Sequence, residues 1–420
     1  MNKAVLSNWP LFFGLTMIMV GNGLQGTLLG VRASLEGFDA LTTGFIMSFY
    51  YFGFLLGSWL SPRFIRNVGH IRVFAALASL ASTTVLIHGI VVDPWIWCII
   101  RIFTGFSYAG LYIVIESWLN DASDNKSRGR VMAAYMFLCY LGMILGQLLM
   151  NIASPNDMEL FVITSILVSL ALLPISLSTR PAPVLKVPKV INIRELYRQS
   201  PLGVVGMAVS GMIVSVLFSI GPVYTTTIGY DVSQTSFFIA FLILGGICGQ
   251  VPIGWLSDRF DRRLVLTGVM LFIGVLSSIA YLAPANNIPL AYVLIFFLGC
   301  LTLTIYSLAL AHTNDHLEKE QIMSASASMV LANGAGASIS PILVSFLMEN
   351  VGIEAFYSTI SVISFCMFVF ALYRMGTSES VPLEHQGAYI LTPMRASMPM
   401  TETMMKEQDA STAEKTAETP

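Results

Sequence analysis

Charge is what this chain has least of. Of its 420 residues only 11% are Asp, Glu, Lys or Arg, against about a quarter in a typical soluble domain. A surface so poor in charge has to meet lipid over much of its area. The 22 Lys and Arg nearly balance the 24 Asp and Glu, and no basic cluster outgrows a short loop, so no nucleic-acid partner is expected. Cysteine is scarce as well. Cys98, Cys139, Cys248, Cys300 and Cys366 stand singly inside apolar runs, without metal-ligand spacing, and read as small packing residues. No metal or cofactor is expected. The five histidines and the acids at membrane depth do not gather into a nucleophile–base pair or a ligand set, so the chain is not expected to be an enzyme. It also lacks the G-x-x-x-x-G-K-[ST] pattern of a phosphate loop, which argues against ATP as the energy source. Only Lys3 precedes the first apolar run and no A-x-A site follows it, so that run reads as an uncleaved span.

Hydrophobic residues fill the space that charge leaves. They make up 55% of the chain, and the mean hydropathy is +0.74. A helix needs about 20 apolar residues to cross the hydrocarbon core. Runs of that length lie roughly at 9–30, 39–61, 72–92, 95–119, 131–152, 158–179, 202–227, 234–256, 264–283, 289–312, 324–347 and 355–374. The fold class expected is an all-α membrane protein of twelve transmembrane helices in two sets of six. The first set occupies 1–179 and the second 202–375. Between them, 180–201 carries Pro181, Pro183 and Pro188 and then a short amphipathic piece from Ile191 to Arg198, a linker suited to a membrane surface. The tail from 376 to 420 is rich in Thr, Ser, Met and Glu without periodicity and is expected to be disordered.

With the N-terminus on the cytoplasmic side, 20 of the 22 Lys and Arg fall on that side, leaving only Arg32 and Arg101. The positive-inside rule then predicts that both termini are cytoplasmic.

Several fragments occur twice. Gly254 opens G-x-x-x-D-R-x-x-R-R, with Asp258, Arg259, Arg262 and Arg263. A near copy of its middle, Trp59 to Arg66, lies 196 residues earlier, with Arg63 but with Pro62 in place of the aspartate. Gly37-Phe38-Asp39 with Thr43 and Phe45 matches Gly229-Tyr230-Asp231 with Thr235 and Phe237 at an offset of 192. Phe103, Gly105, Tyr112, Asn120 and Asp121 match Phe297, Gly299, Tyr306, Asn314 and Asp315 at an offset of 194. Each match is weak in so apolar a chain, but their common order points to a duplicated helical bundle, an architecture of secondary transporters.

The fourth run carries the only deep charge. A central arginine costs about 2.5–3.5 kcal/mol even on the lenient insertion scale. At about 100° per residue, Arg101, Gly105, Tyr108, Tyr112 and Glu116 share an arc of roughly 80°. That stripe needs the bundle interior or water, since lipid offers its groups no partner. Two plainer readings stay open here: Arg101 reaching back to the outer surface, and Glu116 capping a helix end near Arg128 or Arg130. His88 reads as a packed imidazole and His312 as interfacial.

On these motifs the chain resembles the major facilitator superfamily over all twelve runs. The loop signature between spans eight and nine is complete at Gly254, Asp258, Arg259, Arg262 and Arg263, and its first-half counterpart keeps Arg63 and Arg66. Val114-Ile115-Glu116-Ser117, Arg128-Gly129-Arg130 and Ala133 to Met136 are similar to the bacterial YcaD-like branch. The resemblance implies a bacterial inner-membrane protein, acting as a monomer on a small-molecule substrate, with a proton as the coupling ion. It places a cavity between spans one, four, seven and ten. Those spans offer Asn22 and Gln25; Arg101, Tyr108 and Tyr112; Ser219 and Tyr224; and Thr302 and Tyr306. Spans five and eleven add Tyr135, Tyr140, Gln147 and Asn333. It also implies a gating role for the loop motif. There Asp258 would accept from a neighbouring helix's first amides, and Arg259 and Arg262 would pair with acids. Arg101 with Gly105 resembles the family's R-x-x-x-G signature, tied to proton coupling, although Thr104 replaces its glutamine. The fifth span lacks the G-P of drug–proton antiporters, Gln147 standing where the proline belongs. Proton-linked import is therefore favoured over export by antiport, and a receptor with a transporter-like fold is the alternative of another class.

Overall fold

The computed structural model describes residues 8–121, 128–177, 192–318, 321–377, 381–387 and 389. Lys3, the linker prolines, Ile191 and the tail from 390 lie outside them. The first six long helices are α1 (Trp9–Leu35), α2 (Ala40–Val68), α3 (His70–Ile90), α4 (Pro94–Asp121), α5 (Arg128–Leu149) and α6 (Glu159–Ser176). A short α7 (Ile193–Gln199) precedes α8 (Pro201–Ser219), α9 (Gly221–Thr227), α10 (Val232–Arg259) and α11 (Arg262–Leu282). Then come α12 (Ile288–Thr302), α13 (Ile305–Asn314), α14 (Ile322–Asn350) and α15 (Ala355–Thr377). Among the described residues twelve helices are long and apolar enough to cross a membrane.

Two of the expected spans are broken. The seventh run parts at Ile220 into α8 and α9. Pro222, in the first turn of α9, has no N–H to continue the α8 ladder and its ring crowds the carbonyl four residues back. The tenth run parts at Leu303 and Thr304 into α12 and α13. No Gly or Pro explains that break. The hydroxyls of Thr302 and Thr304 donate to the carbonyls of Leu298 and Leu301, a back-bonding that loosens and bends helices.

The repeated G-φ-D fragment is a helix start. Gly37 and Gly229 take φ of 75° and 91°, a left-handed turn that costs glycine little. Two residues on, Asp39 accepts from the Thr42 amide at 2.6 Å and Asp231 from the Gln234 amide at 2.7 Å, capping α2 and α10.

Packing repeats where sequence similarity does not. A Cβ at Gly53, Gly57 or Gly105 would strike the carbonyls of Ile102, Phe106 or Tyr50, so α2 and α4 touch backbone to backbone. Their counterparts Gly245, Gly249 and Gly299 meet Phe296, Cys300 and Leu242 in the same way. Gly23 and Gly146 hold α1 against α5, as Gly211 and Gly336 hold α8 against α14. Ser82 bonds Ser165 at 2.6 Å, and Ser278 bonds Ser361 at 2.8 Å, in each case 196 residues on. Small residues at such crossings let helices associate in lipid through close packing.

The chain forms two compact units. One comprises Met1–Val187, Leu217–Ala240 and Pro341–Ile353; the other comprises Pro188–Val216, Phe241–Ser340 and Glu354–Pro420. Within the first, the helix ends opposite the charged loops are joined side by side. Ser219 bonds the Tyr51 hydroxyl at 3.3 Å, Asn151 donates to Ser236 at 3.0 Å, and a Cβ at Gly44 would lie 2.6 Å from that of Ser345. On that side Arg32 also pairs with Glu36 at 2.5 Å and donates to the carbonyls of Pro155 and Asn156, fixing the turn after α5.

One stretch of the tail is not the unpatterned coil expected. Leu383–His385 form a 3-10 turn, and Gln386 and Gly387 beyond it are buried. The segment carries little apolar surface and is held by hydrogen bonds, which composition alone does not register.

Candidate functional site

In the first unit the α4 stripe faces protein. Arg101 is only 4% exposed. Its guanidinium carbon lies 4.4 Å above the Tyr50 ring, and Nη2 is 3.9 Å from the sulfur of Met47. It does not reach back to an outer surface: an aromatic face and a polarisable sulfur on α2 receive the cation inside the bundle. Gly105 lets this happen, because the absent side chain brings the backbone of α4 onto that of α2 at Tyr50.

From Tyr50 an aromatic file runs along the helices. Its ring centroids lie 6.4 Å from those of Tyr108, which in turn lie 6.1 Å from Tyr112, itself 6.1 Å from Phe54. Asn22 on α1 donates to the Tyr112 hydroxyl at 2.5 Å, bringing together two residues expected to line the cavity. Gln25, one turn along α1, is 1% exposed, and neither atom of its amide has a hydrogen-bond partner among the described residues. A buried unmet amide costs about 1–3 kcal/mol, which a ligand bearing both a donor and an acceptor removes.

Glu116 ends the stripe. It is 1% exposed and accepts from the Tyr135 hydroxyl on α5 at 2.5 Å.

Other expected wall residues are spent on helix packing. Gln147 donates to the Gly23 carbonyl and accepts from Thr27, both at 2.8 Å, so its amide clamps α5 to α1. Asn333 donates to the Met207 carbonyl at 3.1 Å, tying α14 to α8. Tyr224 lies on α9 and Tyr306 on α13, both largely buried and each just past a helix break. His88 is packed, bonded to the Thr84 carbonyl at 2.7 Å and set edge-on to Trp97. His312 is buried, its ring centroid 4.5 Å from that of His316.

The loop motif of the second unit departs from expectation. Asp258 accepts from the backbone amide of Tyr389 in the tail, at 2.7 Å, and stands 3.7 Å from Arg262. Arg259 pairs with no acid among the described contacts. It stacks 4.2 Å above the Trp255 ring, as Arg63 stacks 4.4 Å above Trp59. Arg262 is fully buried and pairs with Asp315 at the end of α13, while Arg263 pairs with Asp261 at 2.8 Å. Burial pushes the Asp315 carboxyl up from its ordinary range, and Arg262 and the Gly387 amide pull it back. Arg66 is exposed. Gly254 admits the Tyr389 ring, whose edge a Cβ there would meet at 2.6 Å.

Sequence reasoning missed Met47 and Tyr50 on α2, and Gln250, Asp315, Gly387 and Tyr389 around the loop motif. Tyr50 and Tyr51 stand out only as polar rings in an apolar run. Asp315 appears only as the repeat mate of Asp121, with nothing to name Arg262 as its partner.

Twelve lipid-crossing helices in a duplicated pattern, two of them broken, make the architecture of a secondary membrane transporter. The family description Major Facilitator Superfamily matches residues 11–273 and 203–396. The chain belongs to that superfamily and is a membrane transporter of its type. It is 28% identical over 377 residues to an uncharacterized MFS-type transporter YcaD of Escherichia fergusonii, covering 89% of this chain and 97% of that one. An Escherichia coli O7:K1 counterpart matches at 28% over 378 residues, with the same 89% and 97% coverage. These relatives support the YcaD-like branch. Among solved structures, a mutant of the nucleoside transporter NupG superposes with a TM-score of 0.77 at 12% identity, covering 88% of this chain and 99% of that one. A D-xylose–proton symporter superposes at 0.65 and 14%, covering 90% and 98%.

Proposed function

We propose that the chain imports a small organic solute together with protons by alternating access. On this reading it is a monomer in a bacterial plasma membrane, with the charged loops and both termini in the cytoplasm. Solute would meet the buried file in the first unit, where Asn22, Gln25, Tyr108 and Tyr112 offer hydrogen bonds and ring faces and Arg101 supplies one fixed positive charge. Tyr224, just past the break in the seventh span, belongs to the same path.

The observation that carries this reading is Gln25. An amide buried with both ends unmet, on the same face of α1 as Asn22, is costly as packing and useful as a receptor. It favours a solute with an adjacent donor and acceptor and a flat or anionic part to lie against tyrosine and arginine. Proton coupling rests on Glu116, a buried carboxyl that accepts from the Tyr135 hydroxyl at membrane depth. The joined helix ends around Tyr51, Ser219, Gly44 and Ser345 would have to part on the outward side.

A thermal-shift screen of the purified protein, with nucleosides, pentoses, organic anions and amide-bearing heterocycles in the panel, tests the binding claim. A hit should lose its effect in Gln25→Leu and in Arg101→Ala. Uptake of the hit into vesicles should rise with an inward proton gradient and collapse with protonophore. Uptake indifferent to both would remove proton coupling and leave a uniporter.

A further inference from the structure

The half-helix α13 is held at both ends, and one piece of tail accounts for both. At its far end, Asp315 pairs with Arg262 and accepts from the Gly387 amide at 3.2 Å. Arg262 in turn donates to the Gly387 carbonyl. Gly387 thus offers its amide to the acid and its carbonyl to the base of one buried ion pair, two charge-assisted bonds from a single residue. At its near end, the break in the tenth span leaves the Leu303 carbonyl to accept from Gln250 Nε2 at 3.0 Å. The other end of that amide, Oε1, accepts from the Tyr389 hydroxyl at 2.8 Å. Tyr389 is seated by two further contacts: its amide donates to Asp258, and its ring fills the space beside Gly254.

We propose that Gly387 and Tyr389 of the tail form an intramolecular strap that fixes the inner half of the tenth span, and so controls when that half-helix can move. A helix broken at Thr304 is a natural hinge, because few bonds cross the break. The strap spans the hinge. Through Gln250 it holds the carbonyl at the break, and through Gly387 it holds the ion pair at the opposite end. It also occupies one oxygen of Asp258, the acid of the loop motif. Any event that draws the tail away frees α13 and Asp258 together. This mechanical claim stands apart from the route the solute takes.

Hydrogen–deuterium exchange on the full-length protein in lipid nanodiscs tests the strap without any substrate, so its outcome is independent of the transport reading. Tyr389→Phe removes only the hydroxyl that orders Gln250, and Tyr389→Ala also removes the ring from Gly254. Amides of residues 303–314 should exchange about tenfold or more faster in Tyr389→Ala, with a smaller rise in Tyr389→Phe. The α1–α6 helices should be unchanged. Exchange across 303–314 that matches the parent chain in both variants would overturn the strap. So would an equal rise in all twelve spans, which marks general loosening.

Discussion

The hydroxyl of Tyr135 donates to the carboxylate of Glu116 at 2.5 Å, joining α5 to α4 deep among buried side chains. A buried acid that accepts from a phenol can serve as a proton carrier. Glu116→Gln keeps the size and the bond but not the titration. It should abolish accumulation driven by a proton gradient while leaving exchange of labelled for unlabelled solute within about threefold of the parent. Tyr135→Phe should weaken both. Gradient-driven accumulation that persists in Glu116→Gln assigns the proton elsewhere.

The Arg101 guanidinium stacks on the Tyr50 ring. Lysine keeps the charge and part of the cation–π attraction but loses the flat stacking face. Arg101→Lys should retain measurable uptake, reduced about tenfold or more, whereas Arg101→Ala should show none at equal membrane abundance. Parent-like uptake in Arg101→Ala would show that the cation serves packing alone.

The β positions of Gly44 and Ser345 lie 2.6 Å apart, inside the span of about 3.5–4.5 Å of a relaxed disulfide, so a bridge there forms once the two helix ends ease slightly apart. A G44C/S345C double variant, oxidised in membranes, should stop uptake, and reductant should restore it. Uptake that survives complete cross-linking would mean these helix ends need not separate during turnover.

The backbone contact at Gly105 leaves no room for a methyl group. Gly105→Ala should lower the thermal midpoint by several degrees, an overpacking cost of about 1–3 kcal/mol. Gly268→Ala, in a helix with nothing near its β position, should hold or raise the midpoint. Fluorescence-detected thermal melts of the two variants decide it, and equal midpoints would count against the close approach.

Helix number and the duplication were legible because both are written in long patterns. Twelve apolar runs announce twelve spans, and Gly37 with Asp39 announces a turn and a cap whose repeat at Gly229 and Asp231 has the same physical cause. The site was half legible. Spacing along one helix put Arg101, Tyr108, Tyr112 and Glu116 on a shared face, but only coordinates reveal what faces that stripe, so Tyr50 and Tyr135 stayed hidden as partners. Gln147 and Asn333 looked like binding amides because composition does not tell an amide spent on a neighbouring carbonyl from one held open. The break at Leu303 was unreadable, since no Gly or Pro marks it. Tyr389 lay in a tail whose polarity suggested no structure, and its anchors are 131 and 139 residues away.

Where α4 meets α2 at Tyr50, and α12 meets α10 at Leu242, the surface touched is a peptide oxygen. Every amino acid carries that atom, so a tyrosine in one repeat and a leucine in the other serve the crossing equally well. Side chains at such places are free to drift while the glycine opposite is pinned. The common ancestry of the two repeats therefore persists as a handful of missing methyl groups long after the surrounding letters have ceased to agree.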